Sequence, residues 1–133
     1  MEPQIITLSK NENPERGNLT YIEKDLHIPF EIKKTSWIYR VPGDIVIKGY
    51  AYKNQENFII TLSGSLDVLL DNGRDRKSFH LNAANKGLYV PAGKWIQMGN
   101  FSTNAMVIIL GSTANDKDDI IREYEEFLKI KNL

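Results

Sequence analysis

The amino-acid sequence predicts an all-β domain, either a sandwich or a small barrel, that ends in one α-helix. About ten short runs rich in β-branched and aromatic residues follow each other closely, with glycine, proline and asparagine turns between them. Only the last part of the chain places its apolar residues at helical spacing. With 133 residues, 41% of them hydrophobic, the chain can bury one core, so we predict a single domain over residues 1–133.

The first half of the chain supplies the first strands. Gln4–Leu8 is a short apolar strand, and residues 9–18 are predicted to be a loop because they contain asparagine, proline and glycine. The side chains of Asn18–Lys24 alternate as in a strand, and Phe30–Val41 has the composition of a long one. A turn at residues 42–44 leads into the next strand, which ends at Tyr52.

The second half continues with Phe58–Ser63 and Ser65–Leu70 as strands, followed by a turn at Asp71-Asn72-Gly73. Further short strands are centred on Phe79, Leu88–Val90, Trp95–Met98 and Met106–Leu110. A helix is predicted over about residues 116–131, because its apolar residues form one stripe and acidic residues occupy its first turn.

Composition excludes several classes of protein. Lys+Arg and Asp+Glu both number 17, which gives no support for a nucleic-acid binder. The absence of cysteine excludes disulfides, thiol catalysis and zinc–thiolate sites. No apolar run is long enough to cross a membrane, and the first four residues do not resemble a signal peptide, so a cytoplasmic protein without membrane contacts is expected.

The segment Ile47–Lys53 is the most informative part of the chain. On an ideal strand side chains alternate between the two faces, so Lys48, Tyr50 and Tyr52 are predicted to share one face, although Gly49 could break the alternation. The two tyrosines either fill the core or present their hydroxyl groups to a ligand.

Several segments resemble the small cupins that isomerise dTDP-linked 4-keto-6-deoxyhexoses, the sugar 3,4-ketoisomerase or WxcM-like family. The matching pieces run in the family's order from about residue 16 to the C-terminus, and they are Arg16-Gly17-Asn18-Leu19, Glu23, Ile28–Lys33, Gly64-Ser65, Asp71-Asn72-Gly73, Lys86-Gly87-Leu88, Trp95, Met98, Phe101-Ser102 and Asp118–Leu128. The resemblance implies a cupin-like jelly-roll barrel with a C-terminal helix, a homodimer, no metal or other cofactor, and a dTDP-linked sugar in the barrel.

The departures from the family fall where its chemistry takes place. The family usually has Arg-Gly-Gly-His-Ala-His-Lys where this chain has residues 47–53, so an arginine and both histidines are missing. The family's usual glutamine falls on Asn57, and its pair of tyrosines falls on Ser36-Trp37. The chain resembles the family's scaffold and lacks its proton-transfer residues.

A 3,4-ketoisomerisation removes a proton from C3 and returns one at C4, which suits groups that titrate near neutral pH. A phenol has a reference pKa of about 10, so its use as the base costs about 4 kcal/mol unless a cation lowers that pKa. In the enzymatic interpretation, Tyr50 and Tyr52 take the proton-transfer positions and Lys48 tunes them. His27 and His80 are expected to be exposed and to bind no metal.

For ligand binding the resemblance implies Arg16, Gly17, Trp37, Asn57 and Trp95. The guanidinium of Arg16 suits a diphosphate, and Gly17 allows close approach of the backbone. Most tryptophans are core residues, so Trp95 gains a ligand role only from its family position.

The function expected is that of a sugar-nucleotide 3,4-ketoisomerase-like protein in deoxysugar biosynthesis for bacterial surface glycans. The alternatives are a catalytically inactive nucleotide-sugar-binding or regulatory cupin, and a different activity, such as an epimerase, in the same pocket.

Overall fold

The computed structural model describes residues 1–131, and it confirms an all-β architecture with one helix at the end. The strands are β1 (Gln4–Thr7), β2 (Lys10–Asn13), β3 (Gly17–Thr20), β4 (Lys34–Ile38), β5 (Ile47–Tyr52), β6 (Asn57–Ser63), β7 (Leu66–Asp71), β8 (Arg76–Leu81), β9 (Lys86–Val90), β10 (Trp95–Gly99), β11 (Met106–Gly111) and β12 (Ile120–Ile121). The helix α1 is Tyr124–Lys131.

Two antiparallel sheets face each other in a jelly-roll-like arrangement that is not closed into a barrel. Sheet A has the strand order β1-β9-β6-β11-β4, and sheet D has the order β12-β5-β10-β7-β8. A separate hairpin pairs β2 with β3. The strand orders place β5 and β4 on one side of the sandwich, with β8 and β1 on the other.

The space between the two sheets is a packed apolar core. It is built from the inward side chains of both sheets, which are Ile59, Leu66, Val68, Leu70, Leu81, Leu88, Val90, Ile96, Met98 and Val107. A second cluster, which includes Phe58 and Ile60, covers the outer face of sheet A, and a third cluster of Ala51, Trp95, Ile121 and Phe127 lies between sheet D and α1. Thr61, on the inward face of β6 with Ile59, is a buried polar side chain beside this core, and its hydroxyl has no hydrogen-bond partner among the described residues.

Two of the predicted boundaries near the N-terminus are wrong. The predicted loop contains strand β2, because residues 10–13 pair with residues 17–20 in a hairpin whose turn is held by the Asn13 side chain. The predicted strand over residues 30–41 is shortened to β4. Phe30 turns away to join the outer cluster, and Arg40 has a φ of 56°, a left-handed conformation that ends a strand.

The helix begins at Tyr124, so the prediction of a helix from about residue 116 is wrong at its start. Ile120 and Ile121 instead extend sheet D, where they pair with Tyr52 and Ala51 of β5. Burial of Ile121 and the carboxylate of Asp119, which accepts the backbone N–H groups of residues 54 and 55 at 2.8 and 3.1 Å, hold this extension in place. Tertiary pairing overrides the helical spacing of the apolar residues.

The C-terminal helix is tied to sheet D through Asp71. This carboxylate accepts hydrogen bonds from the Tyr124 hydroxyl at 2.6 Å and from the Arg76 Nε at 3.1 Å. Burial acts to raise the pKa of Asp71, but its hydrogen bonds with Tyr124, Gly73 and Arg76 outweigh that effect and lower it. No helix in the described part of the chain has the length and apolar character needed to cross a membrane.

Candidate functional site

A β-bulge in β5 decides which side chains face the interior. Ile96 pairs with Tyr50, whereas Met98 pairs with Ile47, so two residues of β10 span three residues of β5. The extra residue brings Ile47 and Tyr50 to the same inward face, where both pack against the central core. Lys48 is displaced to the outer surface, where its side chain is 79% exposed and lies 3.7 Å from Glu123.

The prediction that Lys48 shares a face with the tyrosines is therefore wrong. The alternation breaks at Gly49, where a β-carbon would collide with the Trp95 indole ring. Lys48 is consequently not placed to act on the tyrosine hydroxyl groups through the interior.

Trp95 lies on the outer face of sheet D, under the helix. It is 6% exposed, and its ring centroid lies 5.2 Å from that of Tyr124 and 5.6 Å from that of Phe127. The structure thus places Trp95 in the helix contact, on the face opposite to Tyr50.

The two tyrosines form one aromatic pair at an end of the sandwich. Their ring centroids are 5.7 Å apart with an interplanar angle of 80°, an edge-to-face contact. The Lys34 Nζ lies 5.2 Å from the centroid of the Tyr52 ring. This contact joins β4 of sheet A to β5 of sheet D. Asn57, buried and bonded to Gln55 at 2.7 Å, lies in the same row as Lys34 because both pair with Gly111.

The strand pairings also align four residues across sheet D, one on each of the neighbouring strands β5, β10, β7 and β8, beginning with Tyr50. Tyr50 pairs with Ile96, Ile96 with Leu70, and Leu70 with Lys77. At the far end of this row a cavity of about 250 Å³ opens, lined by Glu2, Pro3, Leu70, Asn72, Asp75, Arg76, Lys77, Phe79 and Lys94. The tyrosine pair and this cavity therefore occupy the same end of the sandwich, which we call the polar end.

Electrostatics keeps Tyr50 protonated. Burial raises the pKa of the Tyr50 phenol far above its ordinary value, the neighbouring Tyr52 raises it further, and the positive charge of Arg122 opposes the rise. Tyr50 is therefore suited to donate a hydrogen bond or a proton to a ligand oxygen. It is not suited to accept a proton from carbon.

No imidazole lies beside the tyrosine pair. His27 contacts Ser9 and accepts the backbone N–H of Glu23, and His80 lies 2.7 Å from an Asp67 carboxylate oxygen. These two are the chain's complete set of histidines. The inward residues that the strand registers place near the tyrosine pair, apart from the lining of the cavity, include no carboxylate; they are Ile96, Leu70, Lys34, Ser36 and Asn57.

Three other residues predicted to bind the ligand lie apart from the tyrosine pair. Arg16 and Gly17 belong to the exposed β2–β3 hairpin, whose strands pair only with each other. Trp37 is 57% exposed and pairs with Ile108 on the outer face of sheet A. Within the Ser36-Trp37 pair it is Ser36 that faces inward, in register with Ile109.

Sequence reasoning missed Lys34, Ser36 and Lys94. The inward orientation of Lys34 and Ser36 follows from the alternation of side chains along β4, because Ile38, two and four residues further on, faces the core. Lys94 precedes β10 and could be placed only through the inward position of Ile96.

Replacement of Tyr50 with phenylalanine is expected to leave the absorbance change of tyrosine ionisation between about pH 9 and 11 unaltered. The raised pKa means that the Tyr50 phenol stays protonated throughout that range, so its removal takes away no signal. Spectrophotometric titration of the folded wild-type and variant proteins measures this change. A smaller amplitude in the variant would show that Tyr50 ionises with the other phenols.

Comparison with known proteins identifies a matching family and a similar enzyme. The family described as "FdtA: WxcM-like, C-terminal" matches residues 1–132. The curated TDP-4-oxo-6-deoxy-alpha-D-glucose-3,4-oxoisomerase of Aneurinibacillus thermoaerophilus is 34% identical over 129 residues, which cover 97% of this chain and 92% of that protein.

Solved structures agree in fold. A 3,4-ketoisomerase from Helicobacter canadensis is 35% identical, with a TM-score of 0.94 over 99% of this chain and 98% of the other. A variant of the 3,4-ketoisomerase QdtA from Thermoanaerobacterium thermosaccharolyticum, in complex with TDP-4-keto-6-deoxyglucose, is 28% identical, with a TM-score of 0.94 over 98% of this chain and 94% of the other. The predicted cupin-like fold is thereby confirmed.

Proposed function

Because the chain belongs to the FdtA family (WxcM-like, C-terminal), we propose that it is a 3,4-ketoisomerase-type protein that binds a TDP-linked 4-keto-6-deoxyhexose. Its place would be in deoxysugar biosynthesis for bacterial surface glycans. The observation that carries the proposal is the 34% identity to a TDP-4-oxo-6-deoxyglucose oxoisomerase over 97% of the chain. The hexose would lie at the polar end, against Tyr50 and Tyr52.

The reaction itself constrains what these residues can do. In a 3,4-isomerisation a base removes the proton at C3, the 3-hydroxyl becomes a carbonyl, and C4 receives a proton as its carbonyl becomes a hydroxyl. Tyr50, held protonated, can donate to the oxygen on which negative charge develops. In the enzymatic version Tyr52 exchanges the carbon-bound proton, with Lys34 as the cation beside it in place of Lys48.

A second candidate is a binding module that holds the same ligand without turnover. It is favoured by the absence of an imidazole or carboxylate among the inward side chains around Tyr50 and Tyr52 that the structure describes. A phenolic base costs about 4 kcal/mol of barrier at neutral pH relative to a group that is already ionised. Such a module would regulate or support an active paralogue.

Incubation with TDP-4-keto-6-deoxyglucose in deuterated water tests the proposal. We expect saturable binding by calorimetry, because the scaffold of the family is retained. Exchange of the C3 hydrogen above the protein-free rate, followed by NMR, assigns the isomerase, and binding without exchange assigns the binding module.

The matched variants are Tyr50→Phe with Tyr52→Phe, and Tyr39→Phe as the control. The double variant should lose any exchange that the wild type shows, whereas Tyr39 is 54% exposed and lies outside the site, so its change should have no effect. Failure of every TDP species to bind would overturn both candidate functions.

We also propose a homodimer, formed through the outer face of sheet A. Large apolar side chains are exposed there and on the adjoining hairpin, namely Leu19 at 62%, Tyr21 at 43%, Trp37 at 57% and Leu62 at 48%. Leu19, Tyr21 and Leu62 line an apolar groove of about 540 Å³. A contiguous apolar surface of this kind is typical of a protein interface.

Two further properties belong to the proposal. We propose that the protein acts without a metal, and the engagement of both histidines by Glu23 and Asp67 supports this. We propose the cytoplasm as its location, because nucleotide-linked sugars are made there from nucleoside triphosphates.

A further inference from the structure

A cleft of about 230 Å³ opens on the outer face of sheet D, beside the start of α1. Gly49 of β5 lines this cleft, whereas the next residue, Tyr50, packs against the core between the two sheets. The cleft and the tyrosine pair therefore lie on opposite faces of β5. A molecule that binds in the cleft is a different ligand from the hexose of the proposed function.

The indole N–H of Trp95 is a donor that the fold leaves without an acceptor. Trp95 is 6% exposed, and its Nε1 lies directly over Gly49, which also lines the cleft. Within residues 1–131 no group accepts this N–H, and the one fully enclosed side-chain atom without a partner is the Thr61 hydroxyl oxygen. The Trp95 N–H is therefore open to the cleft. An acceptor on a bound molecule would satisfy it, which favours binding because an unpaired polar group in a nearly buried position costs free energy.

Arg122 supplies a positive charge at the same cleft. It follows β12, and in the part of the chain that the structure describes no carboxylate lies within ion-pair distance of its guanidinium. The second guanidinium of the cleft, that of Arg76, instead donates to Asp71 at 3.1 Å. Arg122 is therefore the guanidinium whose N–H donors are available to a ligand. The side-chain amide of Gln97, on β10, adds a neutral donor to the lining.

The two carboxylates that line the cleft are both engaged by other groups. Asp71 is 2% exposed, and its oxygens accept three hydrogen bonds, including the one from Arg76. Glu123 lies 3.7 Å from the Lys48 Nζ, and both of these side chains are exposed, so the pair is weak and Glu123 can turn toward solvent. Three cationic side chains thus line the cleft against these two carboxylates, which favours an anion.

The donors reach the cleft from different sides, Trp95 and Gln97 from β10 and Arg122 from the segment between β12 and α1. A tetrahedral oxyanion presents oxygens in several directions, and a guanidinium matches two oxygens of a phosphate at once. We propose that this cleft binds a phosphate group, either as inorganic phosphate or as the phosphomonoester of a small molecule, with Arg122 as its charge partner and the Trp95 N–H as a further donor. The proposal goes beyond the proposed function and does not depend on it.

Titration with inorganic phosphate at constant ionic strength, followed by ¹H–¹⁵N NMR, tests the proposal. The chain has two tryptophans, so its spectrum contains two indole N–H signals, and Trp37→Phe identifies the signal of Trp95. We expect a saturable shift of the Trp95 signal and none of the Trp37 signal, because Trp37 lies on sheet A. A second titration, with methyl phosphate, distinguishes the two sources. Binding at least as tight as that of inorganic phosphate indicates a phosphomonoester, and weaker binding indicates the free ion.

Arg122→Gln is expected to weaken phosphate binding roughly tenfold or more, because a hydrogen bond between two charged groups is lost. Arg122→Lys keeps the charge and should retain part of the affinity, which separates loss of charge from loss of structure. Arg74→Gln is the matched control, because Arg74 is exposed in the turn after β7 and does not line the cleft.

Three results would overturn the proposal: no saturable shift of the Trp95 signal in the wild type, an equal shift of both indole signals, or phosphate binding by Arg122→Gln as tight as that of the wild type. Binding of the nucleotide sugar is measured separately, so the proposed function can stand or fail independently of this result.

Discussion

Restoring histidine at positions 50 and 52 and arginine at position 47 is expected to raise the rate of C3 hydrogen exchange by about 10²–10⁴-fold. An imidazole has a reference pKa of about 6.5, so it can both accept and donate a proton near neutral pH. The bulge places Ile47 and Tyr50 on the same inward face. The three substitutions therefore converge on one site. NMR in deuterated water with TDP-4-keto-6-deoxyglucose measures the rate.

The control for this gain of activity is Tyr39→His. It adds an imidazole at an exposed position outside the sandwich, so exchange should stay at the wild-type rate. If the triple variant binds TDP and still shows no exchange above the wild-type rate, the site has diverged beyond these positions. Ile96, the inward neighbour of Tyr50 on β10, would then be the next residue to change.

Phe127→Ala is expected to lower the free energy of unfolding by about 3–5 kcal/mol. Phe127 is 1% exposed and is the apolar centre of the contact between α1 and sheet D, with ring centroids 5.6 Å from Trp95 and 5.9 Å from Tyr124. Its truncation leaves a cavity beneath the helix and removes support from Trp95, which covers the bulge at Gly49. Urea unfolding followed by tryptophan fluorescence measures the loss.

Ile130→Ala on the same helix is the matched control. Its side chain is 41% exposed, so its loss should change the free energy of unfolding by no more than about 0.5 kcal/mol. Equal losses from the two variants would show that the helix does not depend on Phe127 for its attachment.

Much of the fold could be predicted from the sequence because its signals are local. The apolar run of Phe58–Ser63, the turn at Asn72 and the apolar stripe near the C-terminus each reflect interactions within a few residues. The strand at Ile120–Ile121 could not be found this way. It exists because Ala51 and Tyr52 offer a free sheet edge and Asp119 fixes the approach, and these partners are remote in the chain.

The tyrosine pair of the candidate site could be predicted from the sequence, but the side chains around it could not. Tyr50 and Tyr52 follow from the family's motif and do lie together. The placement of Lys48 depends on a bulge whose cause is the close approach of Trp95 to Gly49, some 46 residues later in the chain. Lys34 and Lys94 reach the polar end through pairings of β4 and β10 that a single sequence does not reveal.

The most direct test of the account is a crystal structure of the protein with TDP-4-keto-6-deoxyglucose bound. We predict that the pyranose lies within hydrogen-bond distance of the hydroxyl groups of Tyr50 and Tyr52, between the two sheets at the polar end. A ligand bound on an outer face, or a sandwich closed by side chains at that end at saturating ligand, would contradict the account.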